Sequence, residues 1–147
     1  MNFQDHFVRP RGTLAYKVQK SGVLIEDVCE ENLVVVGSQY ALAQLLGGSG
    51  AGNSINQISF GTNAAAPAFS NTAITNAFTK SIDSVSYPAG NQVQFSFSLA
   101  STQANGLAIS EFGLITASGA LFARRVRSSP LNMAADITVS GTWVISF

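Results

Sequence analysis

Residues 108 to 127 read AISEFGLITASGALFARRVR, and this stretch decides the fold. Two runs rich in β-branched and aromatic residues flank Ala117, Ser118 and Gly119. A glycine closing a three-residue loop marks a type I turn ended by a left-handed residue, so the stretch is predicted to be a β-hairpin. Pairing Thr116 with Ala120 sets the register: Gly113 then faces Ala123, Phe112 faces Arg124 and Glu111 faces Arg125. One side carries Leu107, Ile109, Ile115 and Leu121, the other Phe112, Leu114, Phe122 and Val126. A hairpin with one wet side alternates apolar and polar residues. This one is apolar on both, so a core must cover one side, and a second layer or another protein chain the other. Glu111, flanked by Ile109 and Ile115, needs a partner if it is to be buried. The register supplies Arg125, and a structural ion pair Glu111–Arg125 is expected. A single carboxylate without an acid–base partner does not make a catalytic site.

Outward from the hairpin, strands dominate. Residues 13 to 19 alternate with Leu14, Tyr16 and Val18 on one side. Lys20-Ser21-Gly22 repeats the three-residue turn chemistry, and residues 23 to 29 return as a second hairpin. Glu30-Glu31-Asn32 is expected to break that strand. Ser38 is the predicted N-cap of a short helix over residues 39 to 46, with apolar positions 41, 42, 45 and 46 facing the sheet and Gly47-Gly48 ending it. Residues 47 to 52, GGSGAG, lack the flanking strand–helix order and the lysine of a phosphate loop, and read as a flexible connection. Further strands are predicted over 55 to 61, over 78 to 87 with a bulge, over 92 to 99 with Val93, Phe95, Phe97 and Leu99 inward, and over 136 to 147. Ser128-Ser129-Pro130 is expected to end the central hairpin. About eight strands and one small helix predict an all-β fold, an antiparallel β-sandwich of jelly-roll or Ig-like type spanning residues 13 to 147. Residues 1 to 12, with Arg9-Pro10-Arg11-Gly12, are predicted to be an extended N-terminal arm.

Composition narrows the function. Only 11% of the 147 residues are charged, and eight basic residues balance eight acidic ones, against about 25% charged in an average domain. A neutral, weakly charged surface is poorly protected against association, which favours a subunit covered in an assembly, such as a homo-oligomer. Five of the basic residues are Arg9, Arg11, Arg124, Arg125 and Arg127. Nucleic-acid binding wants a basic excess that this chain does not have, so these arginines suit a protein partner better. No apolar run approaches about 18 residues, and no transmembrane helix or membrane partner is expected. The first residues lack the basic and apolar regions of a signal peptide, and Cys29 is alone, which fits synthesis in a reducing cytoplasm.

The search for chemistry returns little. His6 is the only histidine, and nothing places a nucleophile beside it. Cys29 is expected to be a small buried apolar residue. No His/Cys spacing makes a metal site, and Asp27, Glu30 and Glu31 lack the pattern of a calcium loop. Neither catalytic residues nor a cofactor are expected. A carbohydrate-binding module would need an exposed aromatic platform, and Trp143 sits on an apolar strand.

EFGLITASGALFAR, residues 111 to 124, resembles a recurring hairpin of tailed-bacteriophage virion proteins. The similarity extends to Trp143-Val144-Ile145-Ser146-Phe147, to Asn32-Leu33-Val34-Val35 before the short helix and to Ile58-Ser59-Phe60-Gly61-Thr62 after it. The resemblance implies a non-enzymatic structural part of the virion, assembled in the host bacterial cytoplasm, with the major capsid protein or other virion proteins as partners. A compact chain without a coiled-coil or repetitive shaft favours a capsid decoration (cement) protein over a tail, baseplate or tail-fibre component. The expected interface residues are Phe3, Phe7, Arg9, Arg11, Phe112, Arg124 and Arg127.

Overall fold

The computed structural model describes residues 9 to 147. Nine strands and one helix follow one another: β1 (Arg11–Lys20), β2 (Val23–Val34), α1 (Gly37–Leu46), β3 (Ile55–Gly61), β4 (Phe78–Ser81), β5 (Ser84–Ser86), β6 (Gln92–Leu99), β7 (Ala108–Thr116), β8 (Leu121–Asn132) and β9 (Ile137–Ser146). Every pairing is antiparallel, and the spatial order is β4-β3-β7-β8-β2-β1-β9-β6-β5. The all-β antiparallel expectation holds. The strands form one continuous curled sheet, a half-barrel, whose two parts are joined where Leu33 and Val34 of β2 pair with Arg124 and Ala123 of β8.

The curl follows from one short connection. The edge strands β4 and β5 are separated in sequence only by Ile82 and Asp83. A flat sheet of this many strands would hold its edges about 38 Å apart, whereas the chain from Ser81 to Ser84 reaches at most about 11 Å. The sheet must therefore bend until its edges meet. The corner is tied to both sides: Ile82 N–H donates to Asn56 O at 2.9 Å and Asp83 N–H to Ser96 O at 2.8 Å. The single bulged strand expected over 78 to 87 is thus two strands at opposite ends of the sheet.

Curling brings aromatic rings from non-neighbouring strands into contact. Phe60 on β3 lies 6.1 Å from Phe97 on β6, and Phe112 on β7 lies 4.9 Å from Tyr16 on β1. Gly141 of β9 pairs with Tyr16 on one side and Phe97 on the other. A Cβ there would stand 2.3 Å from Ala15 O and 2.9 Å from the Phe97 ring, so only glycine fits. Trp143, Leu14, Val139 and Ile145 fill the rest of this core.

The central hairpin keeps its turn but not its expected register. Thr116 N–H donates to Ala120 O and Gly119 N–H to Thr116 O, both at 2.9 Å, and Gly119 has φ +93°. The ladder then slips: Ile115 faces Leu121, but Leu114 faces Ala123, leaving Phe122 as an extra residue in β8. Both Phe122 and Ala123 go to the core, which a regular strand could not arrange. The pairs from Leu114 to Glu111 move by one, so Glu111 faces Val126 and Gly113 faces Arg124, and a second irregularity then sets Ile109 opposite Leu131. Glu111 and Gly113 share a side, which makes Glu111 and Arg124 diagonal neighbours within reach of long side chains.

Glu111 accordingly pairs with Arg124, not Arg125. Arg124 Nε donates to Glu111 Oε2 at 2.6 Å, and the two side chains are 1% and 0% exposed. Around them gathers the segment between β3 and β4. Glu111 Oε1 accepts from Thr75 N–H at 2.8 Å and Asn63 N–H at 3.2 Å. Arg124 donates to Asn71 Oδ1 at 3.0 Å and to the carbonyls of Asn63 and Ala65, each at 3.1 Å. Ile74 of this segment packs on Val35, Ile115 and Leu121. The second cover that the hairpin requires is therefore the chain's own loop, anchored by an ion pair.

Three other boundaries differ from the sequence reading. The first hairpin turns in two residues, Ser21 (φ +50°) and Gly22 (φ +78°), with Lys20 opposite Val23, and the slack is taken up by a register shift after Val18. β2 runs through Glu30-Glu31-Asn32, because β1 continues opposite it as far as Gly12. Gly12, placed in the arm by sequence, thus belongs to β1. β8 runs through Pro130 to Asn132, with Ser128, Ser129 and Pro130 exposed in an irregularity between Val126 and Leu131.

Removing one member of a buried ion pair leaves the other uncompensated, at a cost of about 3–5 kcal/mol. Glu111→Gln is expected to lower unfolding free energy by about that much in urea titration, and combining it with Arg124→Met to restore part of the loss. Arg125→Ala, in a partly exposed pair, should cost only about 0.2–1 kcal/mol. Additive losses from Glu111→Gln and Arg124→Met would mean that the two side chains do not act together.

Candidate functional site

Three of the five arginines singled out in the sequence, Arg124, Arg125 and Arg127, make bonds within the molecule. Beyond Leu33, β2 and β8 diverge, and side chains bridge the gap. Arg127 donates to Tyr16 Oη at 2.6 Å, to both Glu26 oxygens at 3.0 and 3.1 Å and to Ser129 O at 3.0 Å. Arg125 pairs with Glu30 and donates to Glu31 O at 2.8 Å. Phe112, Arg124 and Arg127 are buried, so none of the three offers the interface surface expected of it. Phe3, Phe7 and His6 lie outside the described residues. Of the expected interface set, Arg9 and Arg11 are exposed.

No three His, Cys, Asp or Glu side chains group to hold a metal among the described residues. Cys29 is exposed rather than buried, because it alternates outward along β2. Trp143 is fully buried and donates its Nε1–H to Asn32 Oδ1 at 2.7 Å, which leaves no indole for a sugar platform. Among the described residues no helix is long and apolar enough to cross a membrane.

What the surface does offer lies around α1. The helix is capped two residues earlier than predicted: Val36 occupies the N-cap position without a side-chain bond, and Ser38 is buried. Gly37 stands where a Cβ would meet Leu121 O at 2.3 Å, so the helix start presses directly on β8. Ala41 enters the core with Leu42 beside it, while Leu45 and Leu46 are 39% and 92% exposed. The expected stripe is therefore narrower and turned toward the N-terminus. Gly47 and Gly48 end the helix as predicted, Gly48 with φ +86°.

Two grooves flank this helix, and Leu42 lines both. The first, of about 810 Å³, is the open mouth of the curled sheet. Leu42 and Leu45 form one wall, Val85 and Tyr87 the other, with Val93 and Phe147 between. Its lining contains no charged side chain. Its polar rim is partly satisfied internally: Asn91 Nδ2 donates to Phe147 O at 2.9 Å and Gln92 Nε2 to Ser146 Oγ at 3.2 Å. The second groove, of about 790 Å³, runs between Arg9, Arg11, Asn32, Gln39 and Phe69. Arg9 lies 5.9 Å over the Phe69 ring, and Asn32 Nδ2 is buried without a hydrogen-bond partner. Neither arginine is in an ion pair among the described residues.

No protein family, curated protein or solved structure matches this chain. The grooves were not visible in the sequence.

Burial raises the pKa of Tyr16 above the ordinary value of 10.0, with Arg127 opposing and Glu26 and Glu30 reinforcing the rise. A raised tyrosine pKa means that the unfolded chain loses its proton first, so stability present below about pH 10 is lost as pH rises through the folded value. Melting temperature is expected to fall on that alkaline limb, and Tyr16→Phe to flatten it. An unchanged slope in the variant would assign the alkaline loss to another group.

Proposed function

We propose that this protein is a non-enzymatic structural component of a tailed-phage virion, a capsid decoration (cement) protein that stabilises the shell through protein–protein contacts. The observation that carries this reading is the uncharged apolar groove at the mouth of the sheet. Leu45, Val85, Tyr87 and Phe147 stay 39–76% exposed around it in a chain with few charges. Apolar surface of this kind marks an interaction site, and its lining holds no charged, histidine or cysteine side chain. The hairpin resemblance supplies the virion context. The basic groove complements the apolar one: Arg9 and Arg11 suit an acidic patch on the major capsid protein or another virion protein, since arginine is enriched at interfaces.

Co-sedimentation with purified phage shells and tails tests the reading. Binding to shells at hundreds of copies per particle is expected, and binding confined to tails, at a few dozen copies or fewer, would move the protein to the tail or baseplate. Arg9→Ala with Arg11→Ala should weaken shell binding at low salt, and the difference from wild type should shrink at high salt, without altering the melting temperature. A protein that ignores both shells and tails is not a virion component.

A further inference from the structure

Among the exposed apolar side chains are a concave set and a convex set. Leu45, Val85, Tyr87 and Phe147 line the groove. Val23, Leu24 and Ile25, 64%, 48% and 49% exposed, form the tip of the β1–β2 hairpin. The two sets lie at opposite ends of the β1–β9 ladder. Arg11 pairs with Ser146 beside the groove, while Lys20 pairs with Ile137 beside the tip, and Ser21 N–H donates to Asp136 O there. Ten residues of β1 separate them by about 30 Å, so the tip cannot reach its own groove.

We propose that the hairpin tip of one copy docks in the apolar groove of the next, joining copies head to tail. The occupant is a second copy because the chain itself carries an exposed aliphatic tip to match its uncharged apolar groove. Three consecutive aliphatic side chains meet a concave wall of aliphatic and aromatic ones. No charge in the groove opposes them, and the nearest charges on the hairpin, Lys20 and Glu26, flank the tip and stay at the rim. Two different patches meeting make a heterologous contact, which closes into a ring or extends as a chain. A tip of three side chains buries far less than the ~1,600 Å² of a standard interface. Contact is therefore weak and concentration-dependent in solution, and strengthened where copies are held side by side on a surface. This inference rests on the groove being a docking surface and does not depend on which particle carries it.

Sedimentation of the full chain across a concentration series, with two variants at exposed positions, tests it. Wild type should associate reversibly. Leu24→Glu at the tip and Val85→Glu in the groove should each raise the dissociation constant about tenfold or more, with unchanged circular dichroism and melting temperature. Mixing the two variants is decisive: the tip of the groove variant fits the groove of the tip variant, so association should return and stop at the dimer. A mixture that stays monomeric overturns the proposal, as does wild-type association that neither variant disturbs, or a wild type that is monomeric throughout. Shell and tail binding of both variants is measured alongside. Particle binding without self-association defeats head-to-tail docking and leaves the virion reading standing; self-association without particle binding does the reverse.

Discussion

The buried pair of Glu111 and Arg124 is the constraint on which the central half of the molecule depends. β7 and β8 are apolar on both sides, and one side meets the core. The other is covered by a segment with no regular structure between Gly61 and Phe78. Such a segment brings backbone N–H and C=O groups that have no ladder to join. Glu111 accepts from two of its N–H groups and Arg124 donates to three of its acceptors. The two side chains act as a surrogate strand edge, and their mutual bond offsets the cost of burying each charge. Ile74 and Ile115 could not meet as they do without that anchorage.

The same residues show how far the sequence could be read. The turn at Ala117-Ser118-Gly119 is a local matter of one left-handed glycine, and it was legible. The bulge at Phe122 was not, because it is decided by what lies across the core. The sheet needs both Phe122 and Ala123 inside, and no local signal records that need. One slipped residue then exchanged the partner of Glu111. The inward positions of β1, β6 and β9 were legible from strict alternation. The splitting of residues 78 to 87 was not, since a corner between sheet edges and a bulge within one strand disturb alternation alike. Arg124, Arg125 and Arg127 read as one basic patch on composition. In the fold one anchors a loop, one ties β8 to β2 near Glu30, and one sits against Tyr16.

That redistribution changes where function can lie. Cations that looked available to a partner are committed to holding the sheet, and the remaining exposed pair, Arg9 and Arg11, borders a groove beside α1. The apolar groove on the other side of the helix was unforeseen, because it is assembled from α1, the stretch around β5 and the C-terminal strand, which lie far apart in sequence. A surface built this way presents apolar area with polar groups at its rim.

The corner at Ile82 and Asp83 has a consequence for how such a chain avoids indiscriminate aggregation. Zero net charge gives little electrostatic protection, and an open β-sheet offers unpaired edges as templates for further strands. Here the edge strands β4 and β5 are four and three residues long, and the corner sets them end to end. Lys80 reaches Ser98 O and lies 3.6 Å from Asp83, while Ser98 Oγ donates to Asp83 at 2.7 Å, placing charge beside the junction. Where β2 turns away from β8, Arg125 and Arg127 span the gap. Short, bent and charge-guarded edges discourage another strand from extending the sheet, so stickiness is confined to side-chain surfaces, where shape decides what is admitted.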